Sequence, residues 1–344
     1  MTDSTERFRH CALLHSGFCW EKSRTCRRTA YTCGSCLYFA ILWYNLPPMA
    51  EYLDYPFASH FLTLPDGLRC HYVDESLATK DPPVLLMVHG NPTWSYIWRR
   101  VITQFRDRFR CVALDHIGCG LSDKPDEDEY SFTLKQRIDD LVQLIEHLDL
   151  KRITLIAHDW GGAIGMGAAT RVPERFEQFV FMNTAVFRSS QCPMRIRLCQ
   201  MPVFGRLAIQ GLNLFSLGTL WMASANRKKM PPAVRSALLA PYRSWSQRLA
   251  IYRFVQDIPL SPRHPSYETL QKIEESLPMF QKHRVCLIWG MLDWCFSPEY
   301  LKQFLQIFPE ADVHRLEKAH HLLLEDTPEE VAAALEMFLK GSVP

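Results

Sequence analysis

The sequence has no marked excess of charge of either sign, because 39 Lys and Arg nearly balance 37 Asp and Glu. Only 22% of its 344 residues are charged, whereas 47% are hydrophobic. This composition excludes a disordered chain, a coiled coil and a strongly basic nucleic-acid-binding protein. A chain of this length can instead bury one large core or two modest ones.

Cysteines are few and scattered, so the 12 thiols do not form the framework of a disulfide-stabilised fold. Five of them fall within residues 1–48, and without this basic segment the formal charge of the chain becomes −1. No second cysteine pair accompanies Cys33 and Cys36 at a zinc-binding spacing, so we predict no metal site. We interpret residues 1–48 as an unassigned leader. The favoured origin is a start codon assigned too early, with Met49 as the natural start.

The sequence also lacks a hydrophobic run long enough to cross a membrane. The apolar stretch Leu37–Leu46 is shorter than the roughly 20 residues that a bilayer requires. It also lies too far from the start for a good signal peptide. We therefore predict no transmembrane span, and only residues 1–48 could tether the chain to a membrane surface.

From Met49 onward, apolar runs of strand length alternate with amphipathic helices. The predicted strands are His60–Leu64, Leu68–Val73, Pro83–Val88, Cys111–Leu114, Ile153–Ala157, Phe179–Met182, Arg284–Trp289 and Asp312–Leu316. Such a pattern predicts a mostly parallel, eight-stranded α/β sheet that helices cover on both faces. Between residues 185 and 277 only helical patches occur. We therefore predict an α/β core, residues 49–184 and 278–344, with an all-helical cap, residues 185–277, inserted after the sixth strand.

One predicted strand runs directly into a sharp turn and a helix of small residues. After Ile153–Ala157 comes His158-Asp159-Trp160-Gly161-Gly162, which fits the nucleophile elbow of α/β-hydrolases. The central position of the elbow is Asp159, so the predicted nucleophile is a carboxylate. The alternative interpretation is that Asp159 only caps the following helix.

A carboxylate nucleophile forms an ester, which an activated water or collapse of the intermediate must break. Water activation requires a histidine that a second acid orients. Asp293 follows one late strand and His321 follows the last one, which gives the order nucleophile, acid, histidine of this fold. We predict Asp159, Asp293 and His321 as the catalytic residues.

Two neighbouring positions compete for these roles. His320 is adjacent to His321, but alignment on the trailing Glu325 favours His321 as the base and leaves His320 a structural or rim residue. Asn183 ends the sixth predicted strand and competes with Asp293. An amide, however, cannot supply the charge that stabilises an imidazolium.

The loop after the third predicted strand contains His89-Gly90-Asn91-Pro92. In this fold that loop supplies one oxyanion-hole N–H, and the residue after the nucleophile supplies the other. Asn91 and Trp160 are the predicted donors, and their side chains could also hold an anionic leaving group. The alternative is that Asn91 shapes a turn and Trp160 is core. No organic cofactor is needed, because nucleophile, base and donors all belong to the chain.

Asp159-Trp160 and His-Gly-Asn-Pro together resemble the haloalkane-dehalogenase-like branch of the α/β-hydrolases, over about residues 51–338. Five further segments are similar to the β-lactone (oxetan-2-one) decarboxylases of bacterial long-chain olefin biosynthesis. They are Asp115–Pro125, Asn183–Ala185, Met230–Arg235, Ala240–Tyr242 and Arg253–Pro262. The sequence departs from those decarboxylases in its leader and at His320, where they tend to carry Asn. Some of these positions also have structural interpretations: Asp115–Pro125 as a fixed turn, and Arg253 with Asp257 as a helix salt bridge.

The resemblance implies conversion of a cis-3,4-dialkyl β-lactone to a cis-alkene and carbon dioxide. It also implies a small, lipid-like substrate and a cytoplasmic assembly with the β-lactone synthetase and other olefin-pathway enzymes. The aromatic residues predicted to bind the alkyl chains are Trp94, Phe187, Phe204, Phe215, Trp221 and Phe254.

Three alternatives remain open at this point. Haloalkane dehalogenation would use the same five site residues, with hydrolysis of the ester by water. Epoxide hydrolysis would need cap tyrosines such as Tyr242 and Tyr252 as electrophilic donors. A ligand-binding protein or pseudoenzyme on the same scaffold is the non-enzymatic alternative. Such proteins commonly lose a triad member, whereas this chain has every residue type that the reaction requires.

Overall fold

An eight-stranded sheet forms the centre of the protein, whose computed structural model describes residues 52–78, 81–189, 191–225 and 230–340. The predicted leader, residues 1–48, lies outside these ranges. The strands are β1 (His60–Thr63), β2 (Arg69–Glu75), β3 (Val84–Val88), β4 (Arg110–Leu114), β5 (Ile153–Asp159), β6 (Phe176–Thr184), β7 (Arg284–Gly290) and β8 (Asp312–Leu316). Their spatial order is β1-β2-β4-β3-β5-β6-β7-β8. The β1–β2 and β2–β4 pairs are antiparallel and the other pairs are parallel, which confirms the predicted sheet.

Helices connect and cover the strands. They are α1 (Arg99–Phe105), α2 (Leu134–His147), α3 (Trp160–Ala169), α4 (Met194–Gln200), α5 (Pro202–Arg206), α6 (Leu214–Met222), α7 (Pro232–Leu239), α8 (Leu249–Gln256), α9 (Tyr267–Ser276), α10 (Pro298–Ile307), α11 (Leu323–Asp326) and α12 (Pro328–Leu339). In α2 Leu134, Ile138, Leu141 and Ile145 are buried, because they recur at helical spacing and form one apolar face of an amphipathic helix. None of the helices in the described ranges is long and apolar enough to span a bilayer.

The connection between β6 and β7 consists of helices α4–α9, and its described residues contain no strand. A π-helical turn, Leu207–Gly211, joins α5 to the turn before α6. Helix α9 packs against α2 and α3 beside the sheet, whereas α4 packs against α8. The insertion therefore follows the carboxyl end of β6, which is the edge where α/β sheets bind ligands.

A buried ion pair ties the insertion to the core. Arg137 of α2 donates from Nη1 to Oδ2 of Asp257, 3.1 Å away, and the Arg137 side chain is fully buried. Asp257 also accepts a hydrogen bond from the Ser266 hydroxyl. The alternative interpretation of Arg253 and Asp257 as a helix salt bridge is not supported, because the Asp257 carboxylate faces Arg137 of α2 instead. A partner 120 residues away cannot be read from i, i+4 spacing.

We expect Asp257→Ala to lower the free energy of unfolding by about 3–5 kcal/mol, because it leaves the Arg137 charge buried without its partner. Urea denaturation of the full chain measures this change. The matched control is Asp81→Ala, which removes an exposed pair with Arg152 and should change stability by less than about 1 kcal/mol. Equal losses in the two variants would contradict a stabilising role for the buried pair.

Candidate active site

Asp159 occupies the sharp turn between β5 and α3. Its φ of 54° and ψ of −125° lie outside the favoured regions for a side-chain-bearing residue. The Thr184 hydroxyl donates to the main-chain oxygen of Asp159 and holds the turn to the end of β6. A Cβ atom at Gly161 would lie 2.0 Å from the carbonyl oxygen of Val88, so the first turn of α3 can approach β3 only with glycine there.

Two main-chain N–H groups converge on the Asp159 carboxylate. The N–H of Asn91 donates to Oδ1 over 2.7 Å. The N–H of Trp160, the next residue in the chain, interacts with the same carboxylate and lowers its pKa. These donors meet because β3 and β5 are neighbouring parallel strands that end at the same edge of the sheet. The arrangement is an anion-binding turn with the predicted nucleophile inside it.

The side chains of Asn91 and Trp160 also line the cavity in front of Asp159. Asn91 Nδ2 donates one hydrogen bond to the carbonyl oxygen of Ile251, 3.2 Å away, and has a second hydrogen available. Trp160 Nε1 has no hydrogen-bond partner among the described residues, so its N–H can bind a ligand.

His321 lies between two carboxylates. Its Nδ1 is 2.9 Å from Oδ2 of Asp293, and its Nε2 is 3.6 Å from Oδ2 of Asp159. All three side chains are nearly fully buried. The structure therefore brings the three predicted catalytic residues together in the order nucleophile, histidine, acid. The neighbouring His320 does not join them, and its main-chain N–H binds Asp326.

Asn183 has a supporting position beside the acid. Its Nδ2 donates to Oδ2 of Asp293 over 3.0 Å, and its Oδ1 accepts a hydrogen bond from the N–H of Gly290. The N–H of Cys295 donates to the other oxygen, Oδ1, of Asp293. Asp293 rather than Asn183 thus faces the histidine, and Asn183 fixes the carboxylate that does so.

The pKa values of the nucleophile and the histidine both shift upward. Burial raises the pKa of Asp159, and the His321 charge and the two main-chain donors only partly offset this effect. Burial lowers the pKa of His321. The charge and hydrogen bond of Asp293, together with the charge of Asp159, outweigh that effect and leave the pKa of His321 above its usual value. Asp293 and Asp159 thus make His321 easier to protonate than a free imidazole, and a positive charge on His321 in turn lowers the pKa of Asp159.

We expect His321→Gln to raise the pKa of Asp159 further, because the variant removes the positive charge that lowers it. A ¹³C NMR titration of protein labelled at the aspartate carboxyl carbons measures this shift, and Asp159→Asn identifies the signal. The matched control is His320→Gln, which changes the adjacent histidine and should leave the Asp159 titration in place. An unshifted Asp159 titration in His321→Gln would contradict the electrostatic interaction between His321 and Asp159.

The cavity in front of Asp159 is largely apolar and has about 880 Å³ of empty space, including its open mouth. Asn91, Asp159 and Trp160 are among the residues that line it and that carry polar groups. The apolar lining includes Phe187, Ile196, Phe215, Val255, Ile258 and Leu260. Such a cavity suits a ligand with one reactive polar group and hydrocarbon substituents.

Of the six predicted substrate-binding aromatics, Phe187 and Phe215 line this cavity. Trp94 is buried in the core, where its Nε1 donates to the carbonyl oxygen of Ala237. Phe254 is also buried, and its ring packs 5.5 Å from that of Trp160. Phe204 and Trp221 are 51% and 62% exposed and do not line the cavity.

The two tyrosines considered as epoxide donors do not line the cavity either. The Tyr242 hydroxyl is buried and donates to the carbonyl oxygen of Thr93. The Tyr252 hydroxyl donates to the carbonyl oxygen of Pro202. The first of these hydrogen bonds joins the insertion to the core, and the second joins two helices within the insertion. This placement removes the sequence basis for epoxide hydrolysis.

Comparison with known proteins identifies the family. The chain matches the alpha/beta hydrolase fold family over residues 83–328. The chain belongs to the α/β-hydrolases. Within them it is 40% identical to the cis-3-alkyl-4-alkyloxetan-2-one decarboxylase of Shewanella oneidensis, over 83% of this chain and 89% of that protein. It is 38% identical to the decarboxylase of the same name from Xanthomonas campestris, over 84% of this chain and 98% of that protein.

Haloalkane dehalogenases are also similar to this α/β-hydrolase. Haloalkane dehalogenase 2 of Mycobacterium tuberculosis is 33% identical over 82% of this chain and 94% of that protein. Among solved structures, a haloalkane dehalogenase from Paraglaciecola agarilytica superimposes with a TM-score of 0.70 at 26% identity, covering 83% of this chain and 95% of that one. The resemblance inferred from the sequence motifs is therefore confirmed.

Several residues of this α/β-hydrolase site were not predicted from the sequence. Phe296 stacks on the His321 ring at 5.7 Å, and Cys295 and Tyr300 also line the cavity. These residues lie in the loop and helix that follow Asp293. The position of Asp293 in the sequence could therefore have indicated that they lie near the site. Gln191 and Cys192 line the cavity from the start of the insertion, where no motif marks them.

Proposed function

We propose that this α/β-hydrolase converts cis-3,4-dialkyl β-lactones to cis-alkenes and carbon dioxide in long-chain olefin biosynthesis. The observation that carries the proposal is the 38–40% identity to two cis-3-alkyl-4-alkyloxetan-2-one decarboxylases across most of both chains. The dehalogenases are less similar, at 33%. The apolar cavity in front of Asp159 supports the same substrate class, because two alkyl chains need an apolar binding site.

The reaction begins with a displacement at the saturated ring carbon that bears the ring oxygen. An oxygen of Asp159 forms a bond to this carbon, the carbon–oxygen bond of the ring breaks, and its electron pair leaves on the former lactone carboxylate. Trp160 Nε1–H and the free Asn91 Nδ2 hydrogen stabilise this anion. The product of the step is an alkyl ester of Asp159 that carries a β-carboxylate.

Decarboxylation then breaks the ester. The bond to the carboxylate carbon breaks, its electrons form the alkene, and the carbon–oxygen bond to Asp159 releases the Asp159 carboxylate. The main-chain N–H groups of Asn91 and Trp160 stabilise the released anion. Inversion in the first step followed by anti elimination in the second keeps the alkyl groups cis. These two reaction steps consume no water, so His321 and Asp293 act by keeping Asp159 ionised.

Haloalkane dehalogenation is the second candidate, because it needs the same displacement and His321 is placed to activate water for ester hydrolysis. One experiment separates the candidates. The full chain and Asp159→Ala are incubated in H₂¹⁸O with a cis-dialkyl β-lactone, a 1-haloalkane or an epoxide, and alkene, halide and diol are measured. We expect alkene from the lactone, no ¹⁸O in Asp159, and no product with Asp159→Ala. Halide without alkene would overturn the proposal, and the absence of every product would favour a binding protein.

We further propose that the protein acts in the cytoplasm, in an assembly with a β-lactone synthetase and other olefin-pathway enzymes. The support is the pathway that the resemblance implies, since the lactone is a reactive intermediate that one enzyme must pass to the next. Size-exclusion chromatography of the co-expressed enzymes tests the assembly, and separate elution would contradict it.

The predicted membrane tether, residues 1–48, lies outside the described residues. Comparing sedimentation with and without that segment tests it.

A further inference from the structure

The outer surface of the insertion is unusually apolar. Nine of the sixteen exposed large hydrophobic side chains in the described ranges belong to residues 194–221. We call the exposed apolar side chains of α4, α5, α6 and the turns between them the apolar cap face. Its most exposed members include Met194 at 69%, Val203 at 75% and Leu212 at 62%. Exposed hydrophobic patches of this kind mark sites that a partner or a lipid surface covers.

The helices of the apolar cap face also line the cavity. Ile196 of α4 and Phe215 of α6 face the cavity, whereas Leu198 and Leu214 of the same helices are exposed. Successive elements from α4 to α6 contact one another, so the exposed side chains lie on neighbouring helices. Only one thin helical layer separates the apolar cap face from the apolar cavity.

The charge of the chain around the apolar cap face indicates which kind of partner covers it. Residues 178–256 contain eleven Lys and Arg and no Asp or Glu. Arg195, Arg197 and Arg243 are exposed. Arg206 is also on this side of the insertion and pairs with Glu127 of a neighbouring loop. Residues 49–344 have a net charge of −1 in total, so the part of them outside residues 178–256 is acidic.

We propose that the apolar cap face docks on the surface of a membrane that contains anionic phospholipids. The apolar side chains enter the boundary between headgroups and acyl chains, and the arginines bind the lipid phosphates. A second copy of this chain does not match this face, because each copy would present the same positive charge. Residues 1–48 do not match its charge either, since they are themselves basic.

Docking gives a lipid-like substrate a short path from the bilayer to Asp159, and this consequence rests on the proposed function. The docking itself depends only on exposure and charge. Loss of docking and loss of lactone turnover are therefore separate results, because turnover can be measured on substrate dispersed in detergent.

Vesicle flotation of the full chain tests the proposal. We expect the protein to float with vesicles of phosphatidylglycerol and phosphatidylcholine, to float less with phosphatidylcholine alone, and to lose binding in high salt. The variant Val203→Ser/Phe204→Ser/Leu207→Ser removes three exposed apolar side chains and should lower partitioning at least about 10-fold. The matched control, Leu77→Ser/Met279→Ser/Met337→Ser, removes three exposed apolar side chains elsewhere and should float as the unmodified protein does.

Two results would overturn the proposal. One is that the unmodified protein fails to float, or that the cap variant floats as well as the control. The other is that the unmodified protein does not bind vesicles but forms a dimer in analytical ultracentrifugation, and that the cap variant is a monomer. The apolar cap face would then be a contact between copies of this chain. Circular dichroism of both variants verifies that they are folded.

Discussion

Asp159→Asn is expected to lower the rate of β-lactone decarboxylation by at least about 10,000-fold, because a neutral amide is a poor nucleophile at saturated carbon. The variant keeps the size of the side chain and leaves the contacts between His321 and Asp293 in place. It therefore isolates the loss of the attacking oxygen from a change in packing. Gas chromatography of the alkene measures the rate, and Asp159→Ala should show the same loss.

The same variant is not expected to unfold the protein. Burial raises the pKa of Asp159, which means that the folded environment disfavours the ionised carboxylate. A neutral amide removes that cost, so we expect a Tm at least equal to that of the unmodified protein. Substantial alkene formation by folded Asp159→Asn would contradict the assignment of the nucleophile. A large drop in Tm would show that the carboxylate stabilises the fold instead.

The positions of the proposed catalytic residues could be predicted because strand ends fix them. Asp159, Asp293 and Asn91 each follow an apolar run that becomes an interior strand, and the carboxyl ends of parallel strands meet at one edge of a sheet. The order of the residues along the chain then predicts their roles. His321 required a choice between two adjacent histidines, which residue spacing alone does not settle.

The lining of the cavity could not be predicted with the same success. Phe204 and Phe215 belong to the same insertion and are both apolar aromatics, yet Phe204 is exposed and Phe215 faces the cavity. Helices α4 and α6 carry apolar side chains both towards the cavity and towards the outside, so hydrophobic periodicity does not distinguish their inner face from the outer one. The long-range pair of Arg137 with Asp257 was missed for a related reason, because it depends on how α2 meets the end of α8.

Gly90→Ala is expected to lower the decarboxylation rate at least about 100-fold, although residue 90 itself takes no part in the reaction. A Cβ atom on Gly90 would lie 2.0 Å from Oδ1 of Asp159 and 2.3 Å from its Cβ. The Thr184 hydroxyl and the pairing of β5 with β6 hold the Asp159 turn in place, so the turn cannot move away as a whole. The Asp159 carboxylate must therefore leave the position in which the N–H groups of Asn91 and Trp160 bind it.

The matched control is Gly211→Ala, because a Cβ atom there meets only a ring carbon of Trp245 at 3.5 Å, an ordinary contact. This variant lies in the insertion and should retain activity within about 2-fold. Thermal unfolding of both proteins separates displacement of the nucleophile from unfolding. The decisive pattern is a folded Gly90→Ala protein whose kcat falls more than its KM changes, since a displaced nucleophile impairs the chemical step rather than binding in an intact apolar cavity. A Gly90→Ala protein with unchanged kcat would show that Asp159 need not lie against the Asn91 donor for the reaction to proceed.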